Sequence, residues 1–145
     1  MDGNEITASV AARFNAPVIE KFRANGGLVG GTFAGVPLLL LHSTGARTGR
    51  DHLTPLAYLE HEGRYLVFAS KAGADVHPDW YFNLKAHPAA RIEITTDVVD
   101  VRAHELIGVE RDVRFAQMTG LFPYFAAHQA KTERVFPVLA LATTG

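Results

Sequence analysis

Between Ile6 and Arg23 the apolar residues Val10, Phe14, Val18, Ile19 and Phe22 recur about every four positions, with Arg13, Glu20, Lys21 and Arg23 between them. That period predicts an amphipathic helix over 6–24, its apolar stripe packed on a core, resting on a membrane surface or folded over a ligand. Pro17 lacks an N–H and predicts a kink, or the restart of a second helix capped by Asn15. Gly26-Gly27 ends the pattern, and Gly30, Gly31 and Gly35 make 25–35 a flexible connector. Val36 to His42 is a nearly continuous apolar run of strand length, as a strand buried on both faces requires.

His52–Glu60 and Tyr65–Ser70, separated by His61-Glu62-Gly63-Arg64, read as a hairpin in which Pro55 must lie at an edge or bulge. Pro78 suits the start of a short helix and Pro88 its end, with Trp80, Asn83 and Leu84 on one face. Ala90, Ile92 and Ile94, then Val99, Val101 and Ala103, alternate with polar residues and predict an antiparallel hairpin. A second amphipathic helix follows over Gly108–Gly120, and the aromatic segment Phe122-Pro123-Tyr124-Phe125 leads to a last strand, Val135–Ala142. Six strands joined mostly by hairpins predict an α+β, mainly β chain: a small closed or half-closed barrel with helices around it. A doubly wound parallel sheet fits less well, because helices do not alternate with strands.

The 145 residues, 48% of them hydrophobic, suit one domain, 1–145. With 14 Lys and Arg against 15 Asp and Glu, no overall field draws the chain to nucleic acid, and any cationic site is local. Cysteine is absent, which excludes disulfides and thiol chemistry and is compatible with the cytoplasm. Met1 to Glu5 does not read as a signal peptide. The 7 histidines form no HxxxH, HxH or HExxH pair, so no metal site is expected. Ser9, Ser43 and Ser70 lie in neither GxSxG nor SxxK, which argues against a serine hydrolase.

Two turns carry cations among small residues. Arg47 stands between Gly45 and Gly49 with Arg50 just after, and Ser70-Lys71 closes the third strand. Uncovered backbone N–H groups beside a cation hold a phosphate or carboxylate, although the same arginines could pair with Glu60 or Glu62 and the lysine could simply reach to water. Trp80 and Tyr81, on the helix opened by Pro78, are either core aromatics or the wall of a planar ligand.

The succession Phe22-Arg23-Ala24-Asn25-Gly26-Gly27, Pro37 to Leu41, Thr44-Gly45-Ala46-Arg47-Thr48-Gly49, Thr54-Pro55-Leu56, Ala69-Ser70-Lys71 and His77 to Leu84 resembles the deazaflavin-dependent nitroreductase family of actinobacteria. The likeness continues through Pro88 and the Arg91–Val101 strands to Phe136-Pro137-Val138. It implies a split β-barrel that passes a hydride from reduced coenzyme F-420 to a planar acceptor such as a quinone, nitro compound or conjugated enone. It also implies that Arg47, Thr48 and Lys71 hold the coenzyme's anionic tail, with Ala46 and His52 among the coenzyme-binding positions. The ring would lie along Thr54, Pro55, Leu56 and Ala57 against Phe68, Ala69 and Ser70, flanked by Trp80 and Asn83.

Three departures from the family pattern stand out. His52, after Asp51, stands where a second tail cation is usual, and Ala72 where a glycine is usual. Phe122, Tyr124, Phe125 and His128 replace the tyrosines of the nitroimidazole-activating member, so that activity is not implied. Tyr124, His128 and Ser70 are the candidate proton donors to a reduced acceptor. The alternatives are an FMN-dependent split-barrel reductase and a non-catalytic carrier of a cofactor or lipid. The expected location is the cytoplasm, with a homodimer and a peripheral contact at the inner membrane face through the first helix both left open.

Overall fold

The computed structural model describes residues 15–31 and 35–144. Residues 15–24 are helical and form the described part of α1; the earlier turns predicted from Ile6 lie outside the described residues. Six strands follow: β1 (Leu38–Thr44), β2 (Asp51–His61), β3 (Arg64–Phe68), β4 (Ala89–Ile94), β5 (Asp97–Leu106) and β6 (Val138–Thr143). Helix α2 (Asp79–Ala86) joins β3 to β4, and α3 (Gly108–Leu121) and α4 (Tyr124–Gln129) join β5 to β6. The strands close an antiparallel barrel in the order β1-β2-β3-β6-β5-β4, with β4 returning to β1.

Period-two alternation sorts each strand onto two faces. Leu39 and Leu41 of β1, Val67 of β3, Ile92 of β4, Val101 of β5 and Leu139 and Leu141 of β6 fill the interior, and α2 closes one end by inserting Trp80 and Leu84 among them. The outer face carries two separate apolar patches. Leu38 and Leu40 lie under Val18 and Phe22 of α1, and Leu66, Phe68, Val138 and Ala140 lie under Met118 of α3 and Phe125 of α4. The run Leu38–Leu41 is therefore apolar without alternation because α1 covers the outside of β1.

Most strand ends lie within three residues of the sequence expectation, β1 and β3 among them, and two differences have a clear cause. The aromatic stretch after Pro123 is a helix, α4, not a lead-in to the last strand; six residues are too few to show a 3.6 period, and Pro123 supplies the φ of −59° that opens the turn. The last strand starts at Val138, because Pro137 has no N–H for the ladder.

The ladder registers explain how a closed order still leaves a split. Residues Asp51–Ala57 of β2 pair with β1, whereas Tyr58–His61 pair with β3. The first half of β2 thus has one edge without a strand partner among the described residues, on the side where the chain leaves β3 through Ala69 and Ser70. The Tyr58 N–H donates to Pro37 O on the β1 side at 3.1 Å, so alternation turns the backbone groups of Leu53, Pro55 and Ala57 to the open edge. Pro55, which lacks a donor, occupies a position where none is needed for a ladder.

Helix α1 is tied to the barrel by charge as well as by packing. Glu93 of β4 accepts from Arg23 Nε at 3.1 Å and Nη2 at 2.7 Å, and its Oε2 lies 2.6 Å from His42 Nε2. Hydrogen bonding from Arg23 is the largest influence holding the Glu93 carboxyl below its usual range. A carboxylate depressed on folding contributes stability that is present above the unfolded value and lost as pH falls. Thermal unfolding should therefore show a stability loss below pH 4.5 that Glu93→Gln removes; because Arg23 is half exposed, solvent screening keeps the effect small.

Candidate active site

Ala57 packs with both outer patches, so the strip of β2 from Leu53 to Ala57 is a floor between α1 on one side and α3 and α4 on the other. Thr54, Pro55, Leu56 and Ala57 are all partly exposed there, while Phe68 and Ala69, which leave β3 beside the open edge, are buried. Leu56 faces inward and packs in the interior cluster with Trp80 and Ala69. The structure therefore places Trp80, 6% exposed, behind the floor and not on its surface. On the far wall the Phe125 ring packs tilted against Phe68 at 5.8 Å, and the half-exposed Tyr124 ring lies 4.6 Å from Phe125 and 5.6 Å from His128.

The turn from β1 to β2 is built to stay tight. Gly45 N–H donates to Arg50 O at 2.7 Å and Gly49 N–H to Gly45 O at 3.0 Å. A Cβ at Gly45 would lie 2.8 Å from Thr48 Oγ1 and 2.9 Å from His52 Nε2, so the turn closes on itself with His52 against it. Asn83 of α2 braces it from below: its Oδ1 accepts from Ala46 N–H at 2.9 Å and its Nδ2 donates to Ser43 Oγ at 3.2 Å, both side chains being buried. What remains on the outside are the Arg47 and Thr48 N–H groups, without a hydrogen bond among the described residues, and the side chains of Arg47 and Arg50, without an ion pair there.

The second turn has an unusual hand. Lys71, Ala72 and Gly73 have φ of 44°, 53° and 85°, three consecutive left-handed residues of which two carry a Cβ. Left-handed backbone costs a non-glycine residue about 1 to 2 kcal/mol, so other contacts must hold the turn. Ser70 accepts from Gly73 N–H at 2.9 Å and Lys71 from Ala74 N–H at 3.0 Å, whereas the N–H groups of Lys71 and Ala72 bond to nothing among the described residues. Successive outward N–H groups with a lysine make an anion-binding concavity. Helix α4 packs against its back, so that a Cβ at Gly73 would lie 2.5 Å from the carbonyl oxygen of His128.

Sequence reasoning missed Arg134, in the chain leading to β6. Its guanidinium donates to Ala74 O at 2.9 Å, Ala69 O at 2.8 Å and Ser70 O at 2.8 Å, lies 2.8 Å from His77 Nδ1, and stacks 4.7 Å from the centre of the Phe136 ring. Nothing in the spacing around Arg134 marks it, since every hydrogen-bond partner of its guanidinium is at least 57 residues away.

Of the three candidate proton donors, Ser70 opens the second turn and Tyr124 and His128 lie on the helix behind it. Burial pushes the Tyr124 phenol up, keeping it protonated. Burial, and secondarily the Lys131 charge, pull His128 down, keeping it neutral, and its Nδ1 is a buried atom with no partner among the described residues. Two clefts lie elsewhere. One of about 450 Å³ runs between Leu59–His61 and Ala116–Leu121, and one of about 510 Å³ sits between Ser43, Ala90 and Arg102. No cluster of metal-ligating side chains occurs among the described residues.

Residues 16–143 match the model of the F-420H(2)-dependent quinone reductase family. The chain belongs to that family. An F-420H(2)-dependent quinone reductase of Mycobacterium tuberculosis is 32% identical over 126 residues, 83% of each chain. A second relative in that organism is 33% identical over 106 residues, 73% of this chain and 89% of the relative. Among solved structures, an F-420-H2 dependent reductase shares 38% identity at a TM-score of 0.66, covering 72% of this chain and 93% of that one. A domain-swapped dimer shares 32% identity at a TM-score of 0.67 over 92% and 98%. Likeness to a haem storage protein of Vibrio cholerae, at 16% identity, shows the fold alone.

The family's coenzyme fits the residues present. A flat ring needs an apolar floor with a few backbone groups, which the half-paired β2 supplies between Pro55 and Phe68. A polyanionic tail needs fixed donors and unpaired cations, which both turns supply.

Proposed function

We propose that the floor formed by Thr54, Pro55, Leu56 and Ala57, with Phe68, Ala69 and Ser70 along its open edge, holds the ring of reduced coenzyme F-420. Arg47, Thr48, Lys71 and the backbone N–H groups of both turns hold its anionic tail, and His52 lies alongside. The half-paired β2 carries this reading, because an unpartnered strand edge flanked by two cationic turns has no purpose in the barrel itself. Bound there, the coenzyme would supply a hydride to a quinone or similar planar acceptor, which takes up one proton to become the reduced product.

The protein's own share is position and a proton. Phe125, packed against Phe68, and α1 form the two walls of the strip, which a ring bound between them would close to water. The protonated Tyr124 hydroxyl is the donor best kept ready at neutral pH, with the Ser70 hydroxyl beside the ring's edge. Asn83 and Trp80 act from behind, one fixing the first turn and the other filling the space under Leu56. The described part of α1 turns Val18 and Phe22 onto the barrel, with 8% and 1% exposure, and no described helix is long and apolar enough to cross a membrane.

Titration of the protein with coenzyme F-420, with FMN in parallel, tests the reading through quenching of Trp80 fluorescence. Saturable quenching by the deazaflavin is expected, with affinity weakened roughly tenfold by Lys71→Ala or Arg47→Ala, in line with about 1.5 kcal/mol for a hydrogen bond to a charged group, and weakened further by salt. Quenching by FMN alone would overturn the coenzyme assignment.

A further inference from the structure

We infer that Arg134 is a positioning residue for the coenzyme's anionic tail: it holds the Lys71–Gly73 turn in its left-handed form so that the Lys71 and Ala72 N–H groups face outward. The inference rests on the function proposed above. It starts from the planarity of the peptide unit, in which a carbonyl and the N–H of the next residue point in opposite directions. Arg134 pulls the Ser70 carbonyl inward, so the Lys71 N–H is aimed outward. It also holds Ala69 O and Ala74 O on either side of the turn, and Lys71 O accepts from the Ala74 N–H within it, so the Ala72 N–H is aimed away from that bond. Its hydrogen bonds are directed into the protein, so Arg134 is not itself a tail ligand. A planar, forked cation is needed because a lysine ammonium cannot reach three carbonyls in one plane.

His77 completes the arrangement only while neutral, because its Nδ1 then accepts from Arg134. The groups facing it are Arg134 from the β6 lead-in, Tyr81 and Phe82 from α2, and Glu105 from β5, with Asp75 on its own loop near Arg134. Burial and the Arg134 charge hold His77 below its ordinary value of 6.5, with Glu105 opposing them. A histidine depressed on folding favours the native turn at high pH and weakens it as pH falls below that value.

The test compares Arg134→Ala and Arg134→Lys with the unaltered protein by amide NMR without coenzyme, and by steady-state kinetics with it. In both variants the Lys71, Ala72 and Gly73 amides should shift and exchange faster while the β1 and β6 amides stay protected. The KM for coenzyme should rise by more than tenfold in Arg134→Ala, with kcat at saturating coenzyme changed less than about threefold, and methylguanidinium should recover part of the loss. In the unaltered protein the Lys71 and Ala72 amide shifts should follow the His77 imidazole titration. Turn amides that keep their wild-type shifts in Arg134→Lys overturn the inference, as does a fall in kcat with an unchanged KM for coenzyme. Turn amides that move in a protein whose parent does not bind coenzyme support the hold on the turn and overturn the proposed function instead.

Discussion

Asn83→Leu should lower stability by about 2 to 3 kcal/mol, because it keeps the volume of the side chain and deletes both hydrogen bonds beneath the first turn. Ser43 is 3% exposed, so its hydroxyl loses the Asn83 amide and gains no water. Ala46 lies at the surface, and its N–H can be rehydrated, but the carbonyl that fixed its direction is gone. The midpoint of thermal unfolding should fall by roughly 5 to 10 °C for a chain of this size. Coenzyme affinity should fall with it, since the free N–H groups of Arg47 and Thr48 sit on a turn that is no longer braced. Unchanged melting and unchanged affinity together would mean that α2 does not hold the turn.

Gly73→Ala should be as severe, for a different reason. The new Cβ would meet the His128 carbonyl oxygen at 2.5 Å and the Lys131 side chain at 3.1 Å, on backbone with φ of +85°. The carbonyl belongs to α4 and cannot step aside without moving Phe125 off Phe68. A loss of about 2 to 4 kcal/mol is expected from overpacking and left-handed strain together. Ala72→Gly is the matched control: Ala72 is exposed with φ of 53°, so removing its Cβ should raise stability by up to about 1 kcal/mol. Denaturant unfolding of the pair should therefore give opposite signs, and equal signs would refute the left-handed assignment of the turn.

The barrel was readable because its strands are local events: alternation at Ala90–Ala103, an unbroken apolar run at Leu38–Leu41 and a turn at His61–Arg64 are each short, contiguous stretches. Pro55 placed itself at an edge for the same reason. The site was readable in part, since Arg47 and Lys71 lie in turns whose small residues announce uncovered backbone. Helix α4 was hidden by its brevity. Trp80 and Asn83 were found as residues but not as supports, because only the fold tells a side chain behind a floor from one on it. Arg134 was not readable at all: its three carbonyl partners are backbone atoms 60 to 65 residues earlier in the chain, and a carbonyl has no residue type.

The open edge of β2 has a consequence beyond the ligand it suits. Unpaired backbone along a strand is a template on which another extended chain can add itself, and closed barrels ordinarily escape that hazard by having no such edge. Here the gap is protected by a proline that cannot donate at its centre, by helices standing on both sides and, when the slot is filled, by the occupant. Cells short of the occupant would then hold a protein whose most adhesive backbone is uncovered, so supply of the small molecule and survival of the polypeptide would rise and fall together.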